Sequence, residues 1–303
     1  MKKILITGAN GLLGRKLVSL LSQQKDLSLV ATAKGVCRFF LPSKIVYRSL
    51  DITNADVCKN LINEFQPDAL IHTAAMTQVD VCEDEREACD IINIRGVSNL
   101  IKAIGNRNTH FVHLSTDFIY EGNEEEYFED SKVNPLNYYG RSKWKSEKLF
   151  EKVSFPYSIL RTVLVYGVVQ DLSRTNIVLW AKAALEKGEK INVVDDQYRC
   201  PTLAEDLAYA CLQVIQEKAT GVYHVSGKDF LSILDIVFEI ADYWGLDKSL
   251  INSISSVSLN QKARRPLKTN LNISKAKQEF NYQPKSFLEG LKLLDEQIKK
   301  LKE

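Results

Sequence analysis

The first half of the chain alternates short runs of apolar residues with longer amphipathic segments. The apolar runs predict β-strands over residues 3–7, 27–33, 45–50, 68–73, 111–115 and 157–164. The amphipathic segments predict helices over residues 12–23, 55–65, 85–104 and 139–152. Strands that are apolar along their whole length are typical of parallel sheets covered by helices on both faces. The pattern therefore predicts an α/β fold with a doubly wound parallel sheet.

The second half of the chain loses this regular alternation. It predicts helices over residues 177–187, 203–216, 232–243 and 286–300, with a short strand over 222–225. Two further segments, 191–194 and 254–257, are expected to pair outside the main sheet. We therefore predict a sheet domain over residues 1–165 and a smaller mixed domain over 166–303, with 222–243 returning to the first.

A glycine-rich turn joins the first predicted strand to the first predicted helix. It contains Gly8, Gly11 and Gly14, and glycine allows positive φ angles and close approach of a phosphate to the backbone. The free N–H groups at the start of the helix attract an anion. The position of the turn predicts a Rossmann-like NAD(P)-binding domain. The residues expected to contact the cofactor pyrophosphate are Gly8, Asn10, Gly11, Leu12, Leu13 and Gly14.

The end of the second predicted strand indicates which dinucleotide is preferred. A carboxylate at this place usually binds the adenosine ribose, but residues 30–38 contain none. Lys34 and Arg38 are cations suited to a 2′-phosphate, so we predict NADP(H) as the preferred cofactor and NAD(H) as an alternative. The competing interpretation, with equal weight, is that both are solvated loop cations. Asp51 and Ile52, after the third strand, are expected beside the adenine.

A candidate catalytic set follows the strand predicted over 111–115. Tyr139 and Lys143 are four residues apart and share one face of a helix. A nearby ammonium is expected to lower the pKa of the phenol, which can then exchange a proton with a carbonyl oxygen. Thr116 is the predicted hydroxyl partner of that oxygen and Ser115 the alternative, whereas Asp117 is expected in a turn or cap.

Composition restricts the remaining choices. The chain has 303 residues and a formal net charge of +2, so we expect neither a nucleic-acid nor a membrane partner. None of the six cysteines forms a Cys-x-x-Cys pair, and the four histidines lack metal-ligand spacing, so no metal site is predicted. Free thiols are typical of a reducing compartment, and we expect a cytoplasmic protein.

Taken in order along the chain, these motifs resemble the extended short-chain dehydrogenase/reductase family, and within it the dTDP-4-dehydrorhamnose reductases. The resemblance covers nearly the whole chain. Its matching segments are Gly8/Gly11/Gly14, 51–53, 72–80, 93–96, 114–122, 135–143, 194–197 with 201–202, and 263–266.

The resemblance implies a reductase that transfers hydride from NAD(P)H to the C4 carbonyl of a nucleotide-linked 4-keto-deoxy sugar. It implies a catalytic triad of Thr116, Tyr139 and Lys143. Further residues would contact the cofactor along its pyrophosphate and nicotinamide ribose: Ala74, Ala75 and Met76. Others would contact the substrate, with the arginines near its diphosphate unless they belong to a solvated basic loop: Thr77, Val79, Arg264 and Arg265.

Departures from the family pattern leave the sugar and the assembly open. Val163 and Leu164 stand where the reductases usually carry an aromatic residue. Lys16 replaces an acidic residue tied in some relatives to a magnesium-bridged dimer, so that dimer is not expected, while another homodimer remains open. Two alternatives are kept: an epimerase or dehydratase of the same family, and a non-catalytic subunit resembling the methionine adenosyltransferase β subunit.

Overall fold

A seven-stranded parallel sheet forms the centre of the structure, a computed structural model that describes residues 2–169, 176–259 and 261–302. Its strand order is β11-β6-β5-β4-β1-β2-β3. The strands are β1 Lys2–Thr7, β2 Leu27–Ala33, β3 Val46–Ser49, β4 Ala69–His72, β5 His110–Thr116, β6 Tyr157–Thr162 and β11 Gly221–His224. Because β1 pairs with both β2 and β4, the strand order reverses there and opens a crevice at the carboxyl ends. The Rossmann-like sheet is confirmed.

Helices cover both faces of this sheet. The α-helices are α1 Leu12–Ser22, α2 Ala55–Phe65, α3 Val79–Asp84, α4 Arg86–Asp90, α5 Gly96–Ile104, α6 Tyr138–Lys148, α7 Ile177–Glu186, α8 Ala204–Gln216, α9 Ile233–Trp244, α10 Ser274–Phe280 and α11 Phe287–Lys302. Ile4 and Ile6 of β1 lie in the core beneath α1 and α8, whereas Leu5 lies in the core beneath α2 and α5. The alternation explains why β1 is apolar along its length.

The helix predicted over 85–104 contains a local irregularity. It consists of α4, a π-helical turn over Ile91–Arg95, and α5. Single π-helical turns inside α-helices are frequent at functional sites. This turn places the buried side chain of Asn93 below the crevice.

A second core lies outside the sheet, built mainly by α7, α9 and α11. The remaining strands are short: β7 Val165–Tyr166, β8 Ile191–Val194, β9 Tyr198–Arg199, β10 Thr202–Leu203, β12 Leu231–Ser232 and β13 Ile251–Ile254. Strand β13 pairs in parallel with β8. The expected pairing outside the main sheet is confirmed for 191–194, but its partner is Ile251–Ile254 and not 254–257. The Asp196 carboxylate accepts hydrogen bonds from the Ser256 amide and hydroxyl, and Ser256–Leu259 forms a 3-10 turn.

The chain crosses between the two cores more than once. Helix α8 packs against α1 on the sheet, and β11 pairs with β6. Of the segment 222–243, the strand lies in the sheet and most of helix α9 packs in the second core. The domain boundary near residue 165 stays a prediction. Within the described ranges, no helix is long and apolar enough to cross a bilayer.

Candidate active site

The glycine turn brings three backbone segments close together at the end of β1. Gly8 has a φ of +79°, and a Cβ there would lie 2.6 Å from the amide nitrogen of Ala74. A Cβ on Gly14 would overlap the backbone of Gly8. Gly11 caps α1 without any side-chain hydrogen bond, and the first helical turn has no acidic residue. The lack of side chains at Gly8 and Gly14 lets these backbone segments approach closely. The free backbone amides at the start of α1 are suited to a dinucleotide pyrophosphate.

Asn10 ties the glycine turn to the loop that follows β2. Its side-chain amide donates to the Val36 carbonyl at 2.9 Å, and its oxygen accepts from the Arg38 amide at 3.0 Å. Lys34 is paired with Asp51 at 2.8 Å, and its side chain is 80% exposed. The hydrogen bond with Lys34 lowers the pKa of the Asp51 carboxyl. The structure therefore brings the residues predicted for the adenosine end of the cofactor to one surface.

Ile52 occupies a different position from its predicted neighbour Asp51. Its side chain is buried in the core, and a Cβ on Gly96 would lie 2.6 Å from its Cδ1. Packing of Ile52 in the core formed with α2 and α5 accounts for this burial. Because the Ile52 side chain is buried, only the backbone of Ile52 is available for the predicted contact with adenine.

The loop after β4 continues the wall of the crevice that begins at the glycine turn, since a Cβ on Gly8 would touch the backbone of Ala74. Thr73 donates through its hydroxyl to the Thr7 carbonyl at 2.7 Å. The Met76 amide donates to the side-chain oxygen of Asn93 at 2.8 Å, and the Asn93 amide donates to the Ser142 hydroxyl at 3.0 Å. Ala74, Ala75 and Met76 are partly buried along this wall, Thr77 is exposed, and Val79 begins α3.

Asn93 is a buried residue of the candidate site that the sequence motifs did not single out. In the sequence it belongs only to the matching segment 93–96, yet its side chain links the loop after β4 to the candidate catalytic helix. A buried amide within an apolar helical stretch was the available signal, since such groups need polar partners.

Helix α6 carries two of the three candidate catalytic residues. Asn137 caps it, and its side chain accepts a hydrogen bond from the Gly140 amide at 2.8 Å. A Cβ on Gly140 would overlap the Phe118 carbonyl, so the absence of a side chain lets α6 dock against the turn after Thr116. Thr116 is 5% exposed and Lys143 is 3% exposed, and Tyr139 is partly buried.

The electrostatics at Tyr139 differ from the sequence expectation. Burial raises the pKa of its phenol, a hydrogen bond with Thr116 opposes this, and the charge of Asp117 raises it further. The expected lowering by a nearby ammonium is not the dominant effect, because burial of the phenol is the largest cause. The Lys143 Nζ lies 3.5 Å from Nε2 of His113. A raised pKa keeps the phenol protonated near neutral pH, the form that donates a proton.

The buried side chain of Lys143 lies next to two stacked histidines, His113 and His72. Burial lowers the pKa of its ammonium to about 8, against the charge of Glu147, which raises it. His113 stacks on His72 at 5.6 Å between ring centroids, and His72 Nδ1 shares a 2.6 Å hydrogen bond with the Thr7 hydroxyl. Burial lowers the pKa of His72 to about 3, so it is neutral. All four histidines are buried.

Ser115, the alternative to Thr116, belongs to a network behind α6. Its hydroxyl donates to the Glu147 carboxylate. Glu147 also forms a buried ion pair with Arg161 at 2.8 Å. These contacts leave Thr116 as the hydroxyl beside Tyr139.

A loop over residues 262–269, here termed the arginine loop, closes the other side of the crevice. Arg265 is paired with Asp80 at 2.7 Å. The carbonyl of Arg264 accepts from the Asn137 side chain at 2.8 Å, and the Arg264 side chain is exposed. Among the described residues, no hydrogen bond or ion pair holds the Arg264 guanidinium.

The departures from the family pattern have structural consequences. Val163 is buried, and Leu164 has a φ of +41°, an unusual angle for a bulky residue, at the point where the chain leaves β6. Lys16 is paired with Glu205 at 2.7 Å and donates to Gln297, and so joins α1 to α8 and α11.

Comparisons with known proteins agree with this arrangement. The family model described as the RmlD substrate binding domain matches residues 1–300. The dTDP-4-dehydrorhamnose reductase of Aggregatibacter actinomycetemcomitans is 31% identical, over 96% of this chain and 98% of that protein.

The chain belongs to the RmlD family.

Two further relatives extend the comparison. A dTDP-4-dehydrorhamnose reductase of Bacillus anthracis, solved in complex with NADP, superposes with a TM-score of 0.84 at 28% identity, covering 98% of this chain and 100% of that one. The methionine adenosyltransferase 2 subunit β of Xenopus tropicalis is 28% identical over 90% of this chain and 81% of that protein. The predicted resemblance to the dTDP-4-dehydrorhamnose reductases is thus confirmed, and a methionine adenosyltransferase β subunit is also among the relatives.

Proposed function

We propose that this chain is an NADPH-dependent reductase that reduces the C4 carbonyl of a nucleotide-linked 4-keto-deoxy sugar, with dTDP-4-dehydrorhamnose as the first candidate substrate. The observation that carries the proposal is the hydrogen bond between Thr116 and Tyr139, one helical turn from the buried Lys143. Membership of the RmlD family, and the activity named for its relative at 31% identity, support it.

Each residue of the triad has a distinct task in this proposal. NADPH, when bound, supplies the hydride. Tyr139 donates its proton to the C4 oxygen, which suits the raised pKa of its phenol. Thr116 lies at hydrogen-bonding distance from Tyr139 and orients the carbonyl, and the charge of Lys143 stabilises the negative charge left on the phenol.

The cofactor and substrate occupy opposite walls of the crevice in this proposal. Gly8, Gly11 and Gly14 surround the pyrophosphate, and Lys34 with Arg38 favours a 2′-phosphate over a free ribose. On the other wall Arg264 binds the substrate diphosphate, because its guanidinium has no competing partner among the described residues. Thr77 and Val79 contact the substrate near the start of α3.

Two broader features belong to the same proposal. All six cysteines are free thiols, which supports a cytoplasmic location. The ion pair of Lys16 with Glu205 speaks against a metal-bridged homodimer at α1.

A panel of nucleotide-linked 4-keto sugars tests the proposal. Each sugar is mixed with the protein and NADPH, and the nicotinamide absorbance is followed. We expect stoichiometric NADPH oxidation with at least one member of the panel. A protein that binds NADPH tightly but oxidises none of it with any sugar would contradict the reductase assignment.

A regulatory subunit is the second candidate, because a methionine adenosyltransferase β subunit is 28% identical to this chain. That candidate requires no turnover of a sugar. It predicts instead a stable complex with a methionine adenosyltransferase catalytic subunit, measurable by sedimentation. Keto-sugar reduction without such a complex would exclude it.

A further inference from the structure

Asp117 is a buried carboxylate whose contacts reach beyond its own turn. It is 2% exposed, and the Thr269 hydroxyl donates to its Oδ2 at 2.6 Å. Its Oδ1 accepts a hydrogen bond from the Thr116 hydroxyl at 3.2 Å. Asp117 begins a 3-10 turn, as expected, but the side chain that caps this turn is that of Thr116, which accepts from the Phe118 amide.

Arg199 is the charged partner of Asp117 and is equally buried. Its Nε lies 3.6 Å from the Asp117 carboxylate, and both side chains are at most 4% exposed. The guanidinium donates to the Pro266 carbonyl at 2.6 Å and to the Leu267 carbonyl at 3.1 Å. It also lies over the Phe118 ring. The Arg199 guanidinium therefore contacts both the arginine loop and the turn over Asp117–Ile119, here termed the catalytic turn.

The energetic cost of this pair argues for a role beyond stability. Burial raises the pKa of the Asp117 carboxyl, and the charge of Arg199 and the Thr269 hydroxyl oppose that rise. Buried ion pairs seldom add net stability compared with apolar packing, although they can fix a single arrangement. Here the fixed arrangement joins Asp117, next to Thr116, to Thr269 of the arginine loop, 152 positions away along the chain.

We propose that Asp117 and Arg199 are positioning residues that, with Thr269, latch the arginine loop to the catalytic turn. A nucleotide sugar held through its diphosphate at Arg264 is thereby aligned with Thr116 and Tyr139. This inference rests on the proposed function. We expect the latch to affect the substrate and not the cofactor, because among the described residues no hydrogen bond or ion pair joins its members to the glycine turn.

Thr269→Val removes the hydroxyl of the latch while keeping the size of a fully buried side chain. We expect KM for the nucleotide sugar to rise about tenfold, as for loss of a hydrogen bond to a charged group, with the NADPH dissociation constant within about twofold. Thr269→Ser keeps the hydroxyl and is expected to restore the KM. Hydrogen exchange in residues 116–122 and 263–272 is expected to accelerate in the valine variant only.

Thr109→Val is the matched control. Thr109 is equally buried, and its hydroxyl donates to the Pro67 carbonyl at 2.7 Å, near the amino end of β5 and away from the site. If Thr269→Val and Thr109→Val have the same KM and exchange pattern, the latch is refuted. Should Thr269→Val fail to bind NADPH, Arg199→Lys takes its place, since lysine keeps the charge but not the two carbonyl contacts; a normal KM there also refutes the latch.

Failure of the reductase proposal would be visible separately. If the unmodified protein reduces no keto sugar, the function is wrong, and the latch is then decided by hydrogen exchange alone. Unchanged exchange in residues 263–272 of Thr269→Val would overturn it.

Discussion

The two walls of the crevice are built in different ways. The cofactor wall consists mainly of backbone at the ends of β1 and β4, shaped by glycines within one short segment. The substrate wall is one loop held by side chains from separate segments: Asp80, Asp117, Asn137 and Arg199. Local sequence therefore specifies the first wall, whereas long-range pairs specify the second. A substitution in the second wall can change substrate binding and leave the dinucleotide site intact.

The largest effect is expected from a substitution that removes the proton donor and leaves both walls of the crevice intact. Tyr139→Phe removes the proton donor, and we expect kcat to fall about 10³-fold while NADPH affinity stays within about twofold. Tyr138→Phe is the matched control, because this neighbouring ring contacts the cations of Arg86 and Lys145 instead of Thr116. Steady-state kinetics of the two variants decide. Full activity of Tyr139→Phe would show that the mechanism is wrong.

The next largest effect is expected on NADPH binding, from a substitution in the cofactor wall alone. Gly8→Ala forces a Cβ to within 2.6 Å of the Ala74 amide, and we expect NADPH to bind at least tenfold more weakly. Gly188→Ala is the control, because Gly188 has a similar φ of +72° but nothing within 4 Å of its Cβ position. Both variants carry a backbone strain of about 1–2 kcal/mol. Equal NADPH affinity in the two would contradict the assigned role of Gly8, as measured by fluorescence titration.

A pH profile sharpens the assignment of Lys143. Its pKa of about 8 means that the ammonium is lost as pH rises through 8, so kcat/KM is expected to be about tenfold below its plateau at pH 9. Lys143→Met should be slow and lack this decline. Lys145→Met, an exposed lysine on the same helix, should keep the unmodified profile. A decline that persists unchanged in Lys143→Met must come from another group.

The smallest effect concerns the choice of dinucleotide. Lys34→Ala is expected to weaken NADPH binding about fivefold and to leave NADH binding unchanged, since an exposed cation contributes modestly. Lys59→Ala, an exposed lysine on α2, is the control. The dissociation constants of NADPH and NADH are measured for the two variants and the unmodified protein. Tighter binding of NADH than of NADPH by the unmodified protein would overturn the predicted preference.

Sequence patterns predicted what depends on local spacing. The seven sheet strands, the glycine turn and the pairing of Tyr139 with Lys143 on one helix all follow from short-range periodicity. The contact of Asp117 with Thr269 and the role of Asn93 do not, because their partners are distant along the chain and a buried polar pair leaves no periodic signal. The predicted bounds of β13 were wrong for a similar reason. The strand ends at Ile254 because Asp196, about 60 residues earlier in the chain, accepts a hydrogen bond from the Ser256 amide.

Transfer of deuterium from NADPH labelled at nicotinamide C4 tests the central claim most directly. The unmodified protein is incubated with the labelled cofactor and dTDP-4-dehydrorhamnose, and the product is analysed by NMR. A reductase places one deuterium at sugar C4 with consumption of one NADPH per product. A product without deuterium at C4, formed without net NADPH oxidation, would contradict the account and point to an epimerase or dehydratase.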